Sequence, residues 1–393
     1  MNLIYFVDNK LGGVSSLNYN LASHAPDRGT DQIVIHIAAK EEKMTRADLV
    51  YPDSQNVDFV YSLNDNAYSV ARRLWRLLPM EPGVLVTNYE FEMQMLDQHT
   101  LPQTVYQLVH DEYNVGVAVK YGHVADVFIA HNRFIFERLL DLLPNRKQDI
   151  FFLKHGVPIP SFYRDHGLNE KEALRPLKLL FLGRMDPRKG IDDLPVIDDL
   201  LTRKGVAVEW TCIGNGPALE ALKKKWANKG VGFISPSKNE EVLKIASEHD
   251  IFVLPTKFEG SPVSLLETMS VGLVPVISDL PGGIREVVNE QTGFRITVDD
   301  NEGFAAAIAC LHNDRDLLRK LSVGCREEII KNYDVRQTAA AYHDLFRQYA
   351  TRFSPKRLKK LKLGARLDQS WLPSFIKRSI RLAFEKSILP GKK

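Results

Sequence analysis

Short β-branched runs alternate with helical patterns along the chain. Leu3–Val7 is apolar without interruption and predicts a buried first strand. A glycine turn at Gly12-Gly13 leads into a helical stretch over Ser15–Ser23. The same reading predicts strands over Gln32–Ala38, Val84–Thr87, Thr104–Val109, Val127–Ala130 and Asp149–Leu153, with a helix over Ala67–Leu78. Strands separated by helices are the pattern of βαβ units and a parallel sheet.

A second series begins at Leu177–Leu182 and continues through Val206–Ile213, Gly232–Ile234, Ile251–Leu254 and Val274–Ile277. Leu219–Ala227 and Glu240–Glu248 are its predicted helices, and the polar stretch Tyr163–Pro176 is the predicted linker. Two such series predict an α/β chain of two doubly wound, Rossmann-like domains facing each other across a cleft. The expected limits are 1–168 for the first domain and 169–333 for the second. A helix over 334–352 is expected to cross back to the first domain, followed by a basic amphipathic tail, 353–393.

Composition is that of an ordinary globular chain, 44% hydrophobic and 26% charged. No apolar run approaches the length of a membrane-spanning helix. Asp8 cuts the first apolar run too short for a secretory signal. Cys212, Cys310 and Cys325 are too few and scattered for a disulfide framework and point to a reducing, cytoplasmic setting. Charge is more informative. Residues 353–393 carry 12 Lys/Arg against 2 Asp/Glu, whereas residues 1–352 carry 40 against 47. A mildly acidic body is not a nucleic-acid-binding profile.

Candidate chemistry lies in loops that follow predicted strands. Phe181-Leu182-Gly183-Arg184-Met185-Asp186-Pro187-Arg188-Lys189-Gly190 leaves the strand Leu177–Leu182. Arg184 and Lys189, fixed on a glycine-bounded loop, suit a diphosphate: Arg offers a planar fork and Lys a point charge. In isolation such a pair would be a solvated basic turn; the strand–loop–helix context raises its weight. Phe258-Glu259-Gly260-Ser261-Pro262-Val263-Ser264-Leu265-Leu266-Glu267 follows the strand Ile251–Leu254. Glu259 reads as a loop residue, with Pro262 opening a helix near its first position and Glu267 just past the first turn. A helix start offers free N–H groups to an anion, and carboxylates beside it can accept sugar hydroxyls. The plainer role for Glu267 is to complement the helix dipole.

These motifs, with Ile213-Gly214-Asn215-Gly216-Pro217 between them, resemble the retaining glycosyltransferases of family 4, the group 1 glycosyl transferases. The resemblance is good over Leu177–Ala350 and fainter before it, where it rests on Leu11-Gly12-Gly13-Val14, His110 and His155-Gly156-Val157. It implies the GT-B fold and a hexose-type sugar transferred with retention from a nucleoside-diphosphate sugar to a glycan or lipid-linked glycan acceptor. By the resemblance Arg184 and Lys189 hold the diphosphate, Glu267 the ribose hydroxyls and Glu259 the transferred sugar. Gly12 and Gly13 allow backbone to approach the phosphates, and His110 stands near the sugar. Gly183, Gly214, Gly216, Gly260, Ser261, Val263 and Ser264 belong to the implied donor site. Many relatives read E-G-F-G where this chain has Glu259-Gly260-Ser261-Pro262; Pro262 lacks an N–H, so one backbone donor to the sugar or phosphate is lost.

No H-E-x-x-H or C-x-x-C occurs, and no metal or other cofactor is expected beside the sugar nucleotide. The absence of G-x-S-x-G, and of G-x-G-x-x-G after the first strand, argues against a hydrolase and a dinucleotide dehydrogenase. A GT-B nucleotide-sugar 2-epimerase, which needs no acceptor, is the alternative. In the tail, a wheel from Trp371 onward sets Leu372, Phe375, Ile376, Ile380, Leu382 and Ala383 on one side and Lys377, Arg378 and Arg381 opposite. Such a segment either packs on the acidic body or lies peripherally on an anionic cytoplasmic membrane surface.

Overall fold

The computed structural model describes residues 1–8, 12–25, 29–41, 50–164, 175–227, 229–235, 239–350 and 358–388, the side chains of 382–388 excepted. The chain divides into two compact units. One comprises residues 1–130, 136–151 and 342–393; the other comprises 131–135 and 152–341. The cut at 341/342 falls within a single C-terminal helix, Val335–Tyr349.

Among the described residues the first unit has a seven-stranded sheet: β1 (Asn2–Asp8), β2 (Asp31–Ala39), β3 (Ser54–Tyr61), β4 (Gly83–Thr87), β5 (Thr104–Val109), β6 (Val127–Ala130) and β7 (Ile150–Phe152). Their order is β3-β2-β1-β4-β5-β6-β7. β1 lies between β2 and β4, parallel to both, with Ile4 opposite Ile33 and Leu85. Its Leu3–Val7 run is buried, as an apolar run without alternation requires of a strand covered on both faces. Helices α1 (Gly13–Ser23), α2 (Ala67–Trp75), α3 (Glu90–Leu96), α4 (Glu112–Tyr121) and α5 (Arg133–Leu142) connect the strands. The turn of order in this sheet falls between β1 and β4.

The second unit repeats the plan with β8 (Leu177–Leu182), β9 (Val208–Ile213), β10 (Gly232–Ile234), β11 (Ile251–Leu254), β12 (Val274–Ser278) and β13 (Phe294–Ile296). All pairings are parallel, in the order β10-β9-β8-β11-β12-β13. Its helices are α6 (Leu194–Arg203), α7 (Leu219–Lys225), α8 (Asn239–Ala246), α9 (Val263–Ser270), α10 (Gly283–Val287), α11 (Asn301–Asn313) and α12 (Arg315–Asn332). The turn of order lies between β8 and β11, so the two motif-bearing loops leave adjacent strands there. Ligands of open α/β sheets bind at that crevice.

The remaining helices are α13 (Val335–Tyr349) and α14 (Ser374–Ile388). Gly156 is fixed by α13, because a Cβ there would run into Thr338. In the first unit the last turns of α13 are tied by Tyr106, whose hydroxyl donates to the Leu345 carbonyl at 3.0 Å.

In the tail, burial does not follow the wheel. Leu372 is buried, but Phe375 and Ile376, placed with it on one apolar side, are exposed, and Lys377, placed opposite, is buried. The reason is polar. Lys377 pairs with buried Asp368 and donates to the Asp65 carbonyl at 2.7 Å, while Arg378 pairs with Asp65. The charged side of α14 therefore docks on the first unit. Lys356 and Arg357 of the basic block, the side chains of Leu382 and Ala383, Leu11 of the first glycine turn, and 165–174 of the expected linker lie outside the described residues.

Candidate active site

The loop after β8 is shaped by the loop after β9. Gly183 N donates to Ile213 O and Met185 N to Asn215 O, both at 3.0 Å. Gly214 has φ +141°, and a Cβ on it would overlap the Gly183 carbonyl; one on Gly216 would overlap the Met185 carbonyl. The two glycines of Gly214-Asn215-Gly216 thus let one loop lie directly on the other. Asp186 accepts the Arg188 N–H at 3.0 Å and opens a 3₁₀ turn over Pro187–Lys189. The Arg188 guanidinium beside it holds the Asp186 carboxyl down to about 2. Arg188 is thereby committed to Asp186, and Arg184 is exposed on the same loop.

Gly190 fastens this loop to the next one. Its φ is +69°, and a Cβ would overlap the Pro255 carbonyl at the end of β11. The Arg188 carbonyl accepts from Lys257 N at 2.9 Å and from Thr256 Oγ1 at 3.2 Å. With the loops joined, Lys189 Nζ donates to Glu259 Oε1, the side chains 27% and 12% exposed. The sequence-predicted cation and carboxylate, 70 residues apart, are brought into contact.

Pro262 stands one position earlier than expected, as the N-cap of α9 rather than its first residue. Glu267 is the fifth residue of that helix and buried, at 6% exposure. Gly260, Ser261 and Ser264 are half-buried, and Val263 is buried. Gly283 N donates to the Gly260 carbonyl at 2.9 Å, and Asn132 Nδ2 donates to Ser261 Oγ at 3.0 Å. Asn132 Oδ1 accepts from Ile135 N at 2.8 Å, which orients the amide. Gly282 has φ +102°, and a Cβ on Gly283 would overlap Ser261 Oγ. Gly190 closes the first motif in the sequence; Asn132, Gly282 and Gly283 belong to no motif read from it. Pro281-Gly282-Gly283 is a readable turn signal; Asn132 carries none.

In the first unit the loops after β1, β4 and β5 hold the remaining residues. Gly12 is extended, with φ 170°, and a Cβ there would meet nothing within 4 Å. Local packing leaves that position open. Gly13 is the first residue of α1. His110 Nε2 lies 3.1 Å from Asn88 Oδ1. Asn88 is fully buried and its Nδ2 donates to the Phe6 carbonyl at 3.0 Å, so Oδ1 faces the ring and Nε2 carries the proton. Asp111 accepts from Asn114 N and caps α4. Burial raises the Glu92 carboxyl to about 8, against the lowering effect of N–H bonds from Asn88 and Tyr89. Among the described residues no three His, Cys, Asp or Glu side chains gather as a metal site.

Residues 176–314 match the family described as Glycosyl transferases group 1. Over 173 residues the chain is 30% identical to the sulfoquinovosyl transferase SQD2 of Arabidopsis thaliana, covering 43% of this chain and 32% of that one. Over 137 residues it is 31% identical to the Escherichia coli UDP-Gal:alpha-D-GlcNAc-diphosphoundecaprenol alpha-1,3-galactosyltransferase, covering 34% of this chain and 35% of that one. The chain therefore spans about a third of the length of these curated relatives. Among solved structures, Anabaena HepE with UDP and glucose superposes with TM-score 0.72 at 15% identity, covering 88% of this chain and 100% of that chain. A TarM variant of S. aureus crystallised with UDP gives 0.71 at 13% identity, covering 88% and 99%. The two Rossmann-like units with parallel sheets match the GT-B fold of these structures.

Proposed function

We propose that the chain is a retaining hexosyltransferase that moves a sugar from a nucleoside-diphosphate sugar to a glycan or lipid-linked glycan hydroxyl, in cell-surface glycan synthesis on the cytoplasmic side of the membrane. The observation that carries the reading is the joining of the Arg184–Lys189 loop to the Glu259–Glu267 segment at the β8/β11 switch point. Support comes also from the match of residues 176–314 and from relatives such as the diphosphoundecaprenol-linked galactosyltransferase.

The hard event is departure of the diphosphate with developing negative charge. Arg184 and Lys189 supply fixed positive charge for it, in place of a metal ion. Glu267, buried on α9, accepts from ribose hydroxyls, and Glu259 from the transferred sugar. In the first unit Gly12, Gly13 and His110 keep the roles that the resemblance implies, with His110 offering its Nε2 proton to Asn88. Retention follows from front-face attack, in which the leaving phosphate oxygen takes the acceptor's proton, so no protein nucleophile is assigned.

The test is turnover against a panel of uridine and guanosine diphosphate sugars, with and without glycan acceptors, in excess chelator. Transfer should persist in chelator, and Lys189→Ala should lower it at least ~10²-fold with the fold intact. Near-wild-type transfer by a folded Arg184→Ala, Lys189→Ala variant overturns the assignment. Conversion of donor to a new sugar nucleotide without acceptor favours the epimerase instead.

A further inference from the structure

The described tail is a strap over the first unit, residues 358–381, held by polar groups. Asp97 accepts the backbone N–H groups of Lys359 and Leu361 at 3.1 and 2.7 Å. Asn66 Nδ2 donates to the Gln369 and Leu372 carbonyls at 2.9 Å each. Asp368 accepts from Ala67 N at 2.8 Å and pairs with Lys377, and Arg381 reaches Asn64 Oδ1 at 2.9 Å. Of its large apolar side chains only Leu363 and Leu372 are buried.

This mode of attachment turns the apolar residues outward. Trp371 is 75% exposed, Phe375 68% and Ile376 37%, and Leu63, whose carbonyl accepts from Arg381, is 54% exposed. Trp371 lies three residues before α14 and Phe375 is its second residue. The exposed charge of the strap itself has one sign. Lys359, Lys360, Lys362, Arg366 and Arg378 are exposed, and the one acid in residues 358–381, Asp368, is buried beneath Lys377.

We infer that the strap docks on an anionic lipid bilayer, with Trp371 and Phe375 entering the headgroup layer and the exposed cations of the strap meeting lipid phosphates. An indole with an apolar body and a polar N–H is suited to that depth. The cations add electrostatic attraction without an exposed acid in the strap to oppose it. A second copy fits less well, because an isologous contact would bring two cationic straps together. The two aromatic side chains are also separate from the central anchor: the Lys377–Asp368 pair is buried, so binding does not require the strap to leave the first unit.

The test is co-sedimentation of the full chain with phosphatidylglycerol-containing vesicles and with pure phosphatidylcholine vesicles, read without turnover. The result therefore stands apart from the transferase reading. Wild type should pellet with the anionic vesicles at low salt, be released by high salt, and show a blue shift of tryptophan emission. Trp371→Ala with Phe375→Ala should lower partitioning at least about tenfold, with thermal stability unchanged because both side chains are exposed. Lys359→Glu, Lys360→Glu, Lys362→Glu should abolish the preference for anionic lipid. Equal partitioning of wild type and the aromatic variant, or no pelleting of wild type at low salt, overturns the inference. So does a dimer in light scattering that the aromatic variant converts to monomer while vesicle binding is unchanged.

Discussion

Lys189 and Glu259 are partners, and a diphosphate that draws Lys189 would leave Glu259 to a sugar hydroxyl. The two carboxylates of the segment should therefore respond differently to neutralisation. Glu267→Gln is expected to weaken free nucleoside diphosphate at least about tenfold, since ribose hydroxyls donate best to a charged acceptor. Glu259→Gln should leave that affinity within about threefold, because it removes a competitor for Lys189 while losing only the sugar contact, and should depress transfer. Calorimetry paired with turnover separates the cases; an equal loss of diphosphate affinity in both variants would reverse the roles. At this scale the sequence marks positions by motif, as at Arg184, Lys189, Glu259 and Glu267, and the structure brings two of them, Lys189 and Glu259, into contact. The sequence is silent at Asn132, whose contact with Ser261 joins positions 129 residues apart and has no local pattern behind it.

The loops are as much a product of their glycines as of their charges. Gly190 takes a left-handed φ of +69° against the Pro255 carbonyl, and this approach brings the 183–190 loop to the start of the 255–261 loop. Gly190→Ala combines a disfavoured backbone with a steric overlap, so it should cost about 1–3 kcal/mol of stability in the second unit. It should also weaken nucleotide binding, although no ligand-contacting side chain is changed. Denaturant unfolding beside diphosphate titration checks both effects; unchanged values would show that the loop tolerates the Cβ. Element prediction succeeds and fails for a related physical reason. β1, β5, β8 and β11 are buried through much of their length and read as mainly apolar runs, β5 broken only by Thr104 and Gln107 and β8 by Lys178. β3 and β13 lie at the sheet edges and escape notice: Ser54–Tyr61 is polar and largely accessible, and Phe294–Ile296 is three residues long. Helix α14 was visible as amphipathic, but which side would be buried depended on Asp65 and Asp368, which a wheel does not contain.

Across the whole chain, the first unit is closed by residues far from its sheet in sequence. Lys377, at 2% exposure, and Asp368, at 3%, form the buried pair under the strap. Removing one partner strands the other's charge, so Lys377→Ala should cost the first unit about 3–5 kcal/mol and open residues 358–373 to limited proteolysis. Acid should act in the same direction. Burial raises the carboxyls of Asp368 and Asp65, but the Lys377 bond and neighbouring N–H groups outweigh it at Asp368, as the Ser62 N–H and Arg378 do at Asp65. Both folded values therefore lie below the ordinary carboxylate range. Their contribution is complete above the unfolded pKa near ~3.9 and is lost as pH falls through the lowered folded values. Proteolysis of the strap across that window follows the change; a cleavage rate independent of pH and of Lys377→Ala would show that other contacts hold it.

The second unit is delivered almost without interruption, from residue 152 to residue 341, whereas the first is split between 1–130, 136–151 and 342–393. Synthesis proceeds from the amino end, so a ribosome that has released residue 341 has supplied every part of the second unit. It still holds back the end of α13 and the strap. The unit that begins first is therefore completed after the second, and its partners for Asp97, Asn66 and Tyr106 all arrive after residue 341.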